Sequence, residues 1–163
     1  MNPMALCAKD IMRTEVIKAY AGMSLKDLAQ LFETEHITGV PVVEGKDKLI
    51  GVISETDLVR FEAHRSHVGE EAHSYIKEEA IEGDGKESPY LLNDPEEKTV
   101  EDIMTPWSIS TYEDTPIAEV AKTMIKQRIH RVFVTDRNLK LKGIITTMDI
   151  VRVMAEFSER KIS

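Results

Sequence analysis

Apolar residues at Leu25, Leu28, Ala29, Leu31 and Phe32 keep the spacing of one helical face, and Ser24 followed by Asp27 reads as a capping box in front of them. Two short apolar runs follow, VPVV at 40–43 and LIGVIS at 49–54, separated by the polar turn EGKDK. That pattern predicts two strands joined by a turn. The phrase GVISETDLVR, 51–60, carries the chain from the second strand into a further helix. Ahead of all this stand the tripeptide DIM at 10–12 and a brief strand at VIKA, 16–19. The predicted order is β-α-β-β-α.

The same order returns 92 positions later. Residues 10–60 align with 102–152 without a gap, and 16 of the 51 positions are identical. Asp102-Ile103-Met104 repeats DIM, SIST at 108–111 repeats the brief strand, and GIITTMDIVR at 143–152 repeats the quoted phrase. Ile117, Val120, Ala121, Met124 and Ile125 answer the first helix, behind Thr115 as N-cap and Pro116 as first helical residue. VFVT, the turn DRNLK and LKGIIT complete the copy. An ungapped self-match of this kind marks a duplication. A unit of about 50 residues buries too little surface to be stable alone, so two copies stacked sheet against sheet are expected to share a core. The fold class is therefore mixed α/β (α+β), built of two tandem β-α-β-β-α units.

Composition changes this picture at one place. The net charge is −8. Residues 62–99 hold eleven acidic and four basic side chains, a balance of −7, so the acidity belongs to the connection and not to the repeats. This linker is expected to extend a helix to about Ile81 and then to loop through Gly83, Gly85, Pro89 and Pro95. The net charge argues against nucleic acid, for which a basic face would be expected, although acidity confined to the linker says little about what the repeats bind. No apolar run approaches the roughly 18 residues needed to cross a bilayer. With Cys7 as the lone cysteine and no leader pattern, a reducing, cytoplasmic setting is expected. His64, His67 and His73 lie near Glu70 and Glu71, a set that could suit a divalent metal or simply form an exposed polar helix. No nucleophile elbow, Gly-rich phosphate loop or paired-cysteine motif is present, so no catalytic residue is assigned and an enzyme is not expected.

The chemistry sits in the repeated phrase. Ser54-x-x-Asp57 and Thr146-x-x-Asp149 are capping boxes in their own right. The same geometry has a second use. A helix start favours an anion, and a carboxylate there can accept two hydrogen bonds from a ribose diol while the hydroxyl donates or accepts beside it.

Two β-α-β-β-α copies, each with DIM before the first strand and G-h-h-[ST]-x-x-D-h-h (h, apolar) before the last helix, resemble a pair of CBS domains, also called a Bateman module. The resemblance covers repeats at 8–61 and 100–157, about two-thirds of the chain, implies pseudo-two-fold symmetry between them, and leaves out the acidic linker. It implies a regulatory module that binds an adenosine-containing ligand, AMP, ADP or ATP, or in some members S-adenosylmethionine, and requires no cofactor. His130-Arg131 resembles the phosphate-facing pair in the γ subunit of AMP-activated protein kinase, and Thr38-Gly39 holds the same place in the first copy. The resemblance implies one cleft with Ser54, Asp57, His130 and Arg131, walled by Ile17, Ile37, Thr38 and Val52. It implies a second with Thr146 and Asp149, walled by Trp107, Ile109, Ile129 and Ile144. Met148 and Phe133 depart from the kinase-subunit pattern, which favours a monophosphate. A homodimer through apolar helix faces and an unidentified regulated protein are the implied partners. The alternatives are a ligand-independent dimeric scaffold and a module for S-adenosylmethionine or a metal.

Overall fold

In the computed structural model, which describes residues 6–64, 98–106 and 108–160, the chain opens with a short helix α1 (Ala8–Ile11) and strand β1 (Ala19–Tyr20). Helix α2 (Leu25–Glu35), strands β2 (Gly39–Glu44) and β3 (Lys48–Ser54), and a helix α3 described over 55–64 complete the first copy. The second copy repeats the series as α4 (Val100–Ile103), β4 (Thr105–Pro106), β5 (Ser110–Tyr112), α5 (Ile117–Gln127), β6 (Arg131–Thr135), β7 (Leu141–Thr146) and α6 (Thr147–Arg160). The class is mixed α/β, with a four-stranded sheet in the order β1-β2-β3-β4 and a three-stranded sheet in the order β5-β6-β7.

Local sequence explains most of these boundaries. Ser24 Oγ accepts the Asp27 N–H at 3.1 Å and caps α2, but among the described residues the Asp27 carboxylate does not return the bond to the Ser24 N–H, so the expected capping box is only half formed. Both α2 and α5 end at a residue in the left-handed region, His36 and Arg128, which occupy equivalent places in the two copies. The start of α5 differs from expectation. Pro116 is the N-cap rather than the first helical residue, and Thr115 instead accepts the Tyr112 N–H at 3.2 Å, closing the turn before the helix. Ile125 also leaves the expected apolar face and is 78% exposed, whereas Ile117, Val120 and Met124 are buried. The first strand begins at Ala19, later than VIKA predicts, and Ile17 precedes it. The expected helix to Ile81 and the loop beyond it fall outside the described residues.

The compact units do not follow the copies. One gathers described residues 6–18, 43–51, 106 and 108–160; the other gathers 19–42, 52–64 and 98–105. Each DIM segment therefore groups with the other copy's helices. In the first unit the Ala8 N–H donates to Thr115 O at 2.8 Å, and the Ile117 N–H to Leu6 O at 3.0 Å. Arg13 and Ile144 exchange both backbone hydrogen bonds, at 2.9 and 3.0 Å. The core of this unit joins Ala8 to Val120, Met124, Val132, Val134 and Ile145, with Ile11 and Met12 packed against it. Burying each large aliphatic there contributes roughly 1.5–3 kcal/mol. In the second unit the Val100 and Glu101 N–H groups donate to Met23 O and Ala21 O at 2.9 and 3.0 Å.

Gly143 makes the first arrangement sterically possible. A Cβ at that position would lie 2.7 Å from Met12 Sδ and 2.8 Å from Arg13 O. Only a residue without a side chain lets the Met12–Arg13 backbone come this close to β7. The glycine of the repeated phrase has a structural duty.

Candidate functional site

Both copies of the phrase fold alike. The strand stops at the hydroxyl residue, the helix begins behind it, and the aspartate three positions on turns back to hold the strand end. Asp57 Oδ2 accepts the Ser54 N–H at 2.8 Å and the Ser54 hydroxyl at 2.7 Å. Asp149 Oδ2 accepts the Thr146 N–H at 2.8 Å and the Thr146 hydroxyl at 2.6 Å. The DIM aspartates act in the same way: Asp10 accepts the Cys7 N–H at 2.7 Å and Asp102 the Thr99 N–H at 2.8 Å. The aspartate half of the expected capping box is thus present in both copies, and it consumes one carboxylate oxygen in each.

The other oxygen distinguishes the copies. Asp149 is buried, 2% exposed, and its Oδ1 accepts Arg13 Nε at 3.1 Å, Arg13 Nη2 at 3.0 Å and Arg152 Nη1 at 3.3 Å. Burial pushes its pKa up, but the hydrogen bonds from Thr146 and the Arg13 guanidinium outweigh that and hold the carboxyl below its usual range. Asp57 is half-buried, and its Oδ1 accepts from none of the described residues.

The remaining residues fall into the units as follows. In the second unit, the Glu55 N–H donates to Thr38 O at 3.0 Å, which sets exposed Thr38 at the start of α3 near half-buried Ser54. Ile37 and Val52, both half-buried, belong to this unit. In the first unit, Arg131 lies directly opposite Thr146 across β6 and β7, and the Thr147 N–H donates to His130 O at 3.0 Å. His130 and Arg131 are both exposed residues. Ile144 and Ile129 are half-buried there, Ile129 packing on the core, while Ile17 and Ile109 are 39% and 37% exposed. Trp107 lies outside the described residues, as do His67 and His73, and His64 is an exposed helical residue. Among the described residues no three histidine, cysteine or acidic side chains converge on a point that could hold a metal. Arg13 escaped the sequence reading. Its signal was available: it is the position after DIM at which the copies differ in charge, arginine in one and Thr105 in the other.

The CBS domain model matches residues 8–64 and 100–156, both copies in full register with the duplication. The chain belongs to the CBS-domain family. As a CBS pair it is 30% identical over 159 residues to the uncharacterised protein MJ1426 of Methanocaldococcus jannaschii, covering 94% of each chain. It spans between 23% and 60% of the length of further curated relatives. The fold matches the crystal structure of CBSX2 of Arabidopsis thaliana in complex with AMP, with a TM-score of 0.68 and 23% identity over 93% of this chain and 98% of that one. It also matches the CBS pair of MJ0100 in complex with 5′-methylthioadenosine and S-adenosyl-L-methionine, with a TM-score of 0.64 and 26% identity over the same shares. Among the described residues no helix is long and apolar enough to cross a membrane.

Proposed function

We propose that this CBS pair is a non-enzymatic regulatory module that senses an adenosine-containing ligand, with AMP, ADP or ATP as the expected class. The observation that carries the reading is the half-buried Asp57, whose Oδ2 is spent on the helix start while Oδ1 accepts from no described residue. A ribose diol needs two acceptor positions on one carboxylate, and an oxygen with two lone pairs supplies them. Ser54 would assist at the ribose or the phosphate. Ile37, Thr38 and Val52, in the same unit as Asp57, are assigned to the base. The partner that reads the bound state is another protein, and a ligand shifts such a switch only through its differential affinity for two states.

We assign the module to a homodimer. α6 leaves Met148, Val151 and Met154 between 50% and 64% exposed, and Ile125 of α5 is exposed as well. Apolar faces of this kind are normally covered by a partner. A cytoplasmic setting is consistent with the free Cys7.

A second reading has its own support: the MJ0100 pair binds S-adenosyl-L-methionine at 26% identity to this chain, so that ligand belongs in the same test. The experiment is calorimetric titration of stripped protein with AMP, ADP, ATP and S-adenosyl-L-methionine, with light scattering on the same sample to give its mass. Saturable heat is expected, weakened in Asp57→Ala by about 1.5–3 kcal/mol, the range for a hydrogen bond to a charged group. Silence from every ligand on folded protein would leave the dimeric scaffold as the function.

A further inference from the structure

The two repeats carry the same ribose-binding phrase, yet their carboxylates are in opposite states. A carboxylate offers about four lone-pair positions. At Asp149 five contacts already claim them: the N–H and hydroxyl of Thr146 on Oδ2, and Arg13 Nε, Arg13 Nη2 and Arg152 Nη1 on Oδ1. At Asp57 only the two contacts from Ser54 are present among the described residues, both on Oδ2.

The cause of the difference can be isolated by the duplication. Thr146 corresponds to Ser54 and Arg152 to Arg60, so hydroxyl and trailing arginine are present in both copies. Among the described residues no ion pair joins Arg60 to Asp57, so the trailing arginine alone does not engage the carboxylate. What one copy has and the other lacks is Arg13, whose equivalent is Thr105, in β4 beside β3. Arg13 is held in place independently of its side chain by the two backbone bonds to Ile144 and by the close approach over Gly143. Its guanidinium places two N–H donors on one buried oxygen, and a threonine at that position is too short to do so.

We infer that Arg13 determines which repeat takes the ligand: it occupies the ribose carboxylate of the second repeat, Asp149, and thereby confines ligand binding to the first repeat's Asp57. This rests on the adenosine reading above and adds to it a stoichiometry of one ligand per chain, set by one residue. To enter the second repeat a ribose would have to displace a charge-assisted pair from a carboxylate 2% exposed, and its neutral hydroxyls replace that pair poorly.

The test exchanges the two positions. With AMP as the probe, calorimetry is expected to give one site per wild-type chain and two per Arg13→Thr chain. Thr105→Arg is expected to weaken the wild-type site at least about tenfold, because it brings the same donors to Asp57. Two sites in the wild-type chain, or one site retained by an Arg13→Thr protein that melts cooperatively, would overturn the assignment while leaving the adenosine reading intact. Absence of AMP heat from wild type and Arg13→Thr alike would overturn the adenosine reading for AMP, and the assignment with it. If Arg13→Thr does not fold, Thr105→Arg decides alone: unchanged AMP affinity sinks the proposal, and its loss supports it.

Discussion

At the scale of single residues, the informative comparison is between two aspartates that the sequence makes equivalent and the structure does not. Asp149 is a buried charge, tolerable only because every lone pair is matched. Asp149→Asn keeps the shape but turns an amide N–H₂ or a weaker acceptor toward Arg13 and Arg152. Urea unfolding at pH 7 is expected to show a loss of about 1–3 kcal/mol, the cost of leaving a buried hydrogen-bonding group unmatched. The pH dependence has a definite sign. The folded-state pKa of Asp149 lies below the reference value of 3.8, because its hydrogen bonds to Thr146 and Arg13 overcome burial. Its stabilisation is therefore complete above the unfolded pKa and is lost as pH falls through the folded one. Wild-type stability should decline below about pH 4 more steeply than that of Asp149→Asn, and parallel acid titrations of the melting temperature would check it.

At the scale of elements, the duplication made most of the fold legible. Helical spacing located α2 and α5, alternating and apolar runs located the β2–β3 and β6–β7 hairpins, and Ser24 caps α2 as its type predicts. What the sequence could not supply was the choice of partner for α1 and α4. An apolar face specifies that a segment is buried, and the two copies offer nearly the same surface, so nothing in DIM tells which copy receives it. For the same reason Arg13 went unread: its importance depends on lying against β7, 131 positions away at Ile144. The repeated phrase was legible as a motif, but the engagement of Asp149 by Arg13 was not, since that depends on this long-range pairing. Gly143 is the element that permits the pairing. Gly143→Ala would place its Cβ against Met12 Sδ and the Arg13 carbonyl, and the backbone contact cannot yield as a side chain can. A loss of about 1–3 kcal/mol is expected, as for overpacked cores. Hydrogen exchange at the Arg13 and Ile144 amides should accelerate in the variant; protection equal to wild type would show that the segment does not depend on this glycine.

At the scale of the whole molecule, exchange of the N-terminal segments means that neither copy is a folding unit by itself. The second copy, taken as 98–160, lacks Ala8, which is fully buried among Val120, Met124, Val132, Val134 and Ile145. It also lacks the acceptor for the Ile117 N–H at Leu6 and both backbone partners of Ile144 at Arg13. Removing the segment opens the core, orphans backbone groups at the start of α5 and along β7, and strips Asp149 of its principal cation. A domain of this size is marginal even when complete. A fragment beginning at residue 98 is therefore expected to show no cooperative thermal transition. Adding a peptide of residues 1–18 in trans is expected to restore one, with a midpoint that rises with peptide concentration because binding to the folded form alone stabilises it. The same peptide carrying Arg13→Thr should restore folding at higher concentration, since it keeps Ala8 and the backbone pairing but loses the charge. A fragment that melted cooperatively without any peptide would show that the second copy is self-sufficient and that the segment only decorates it.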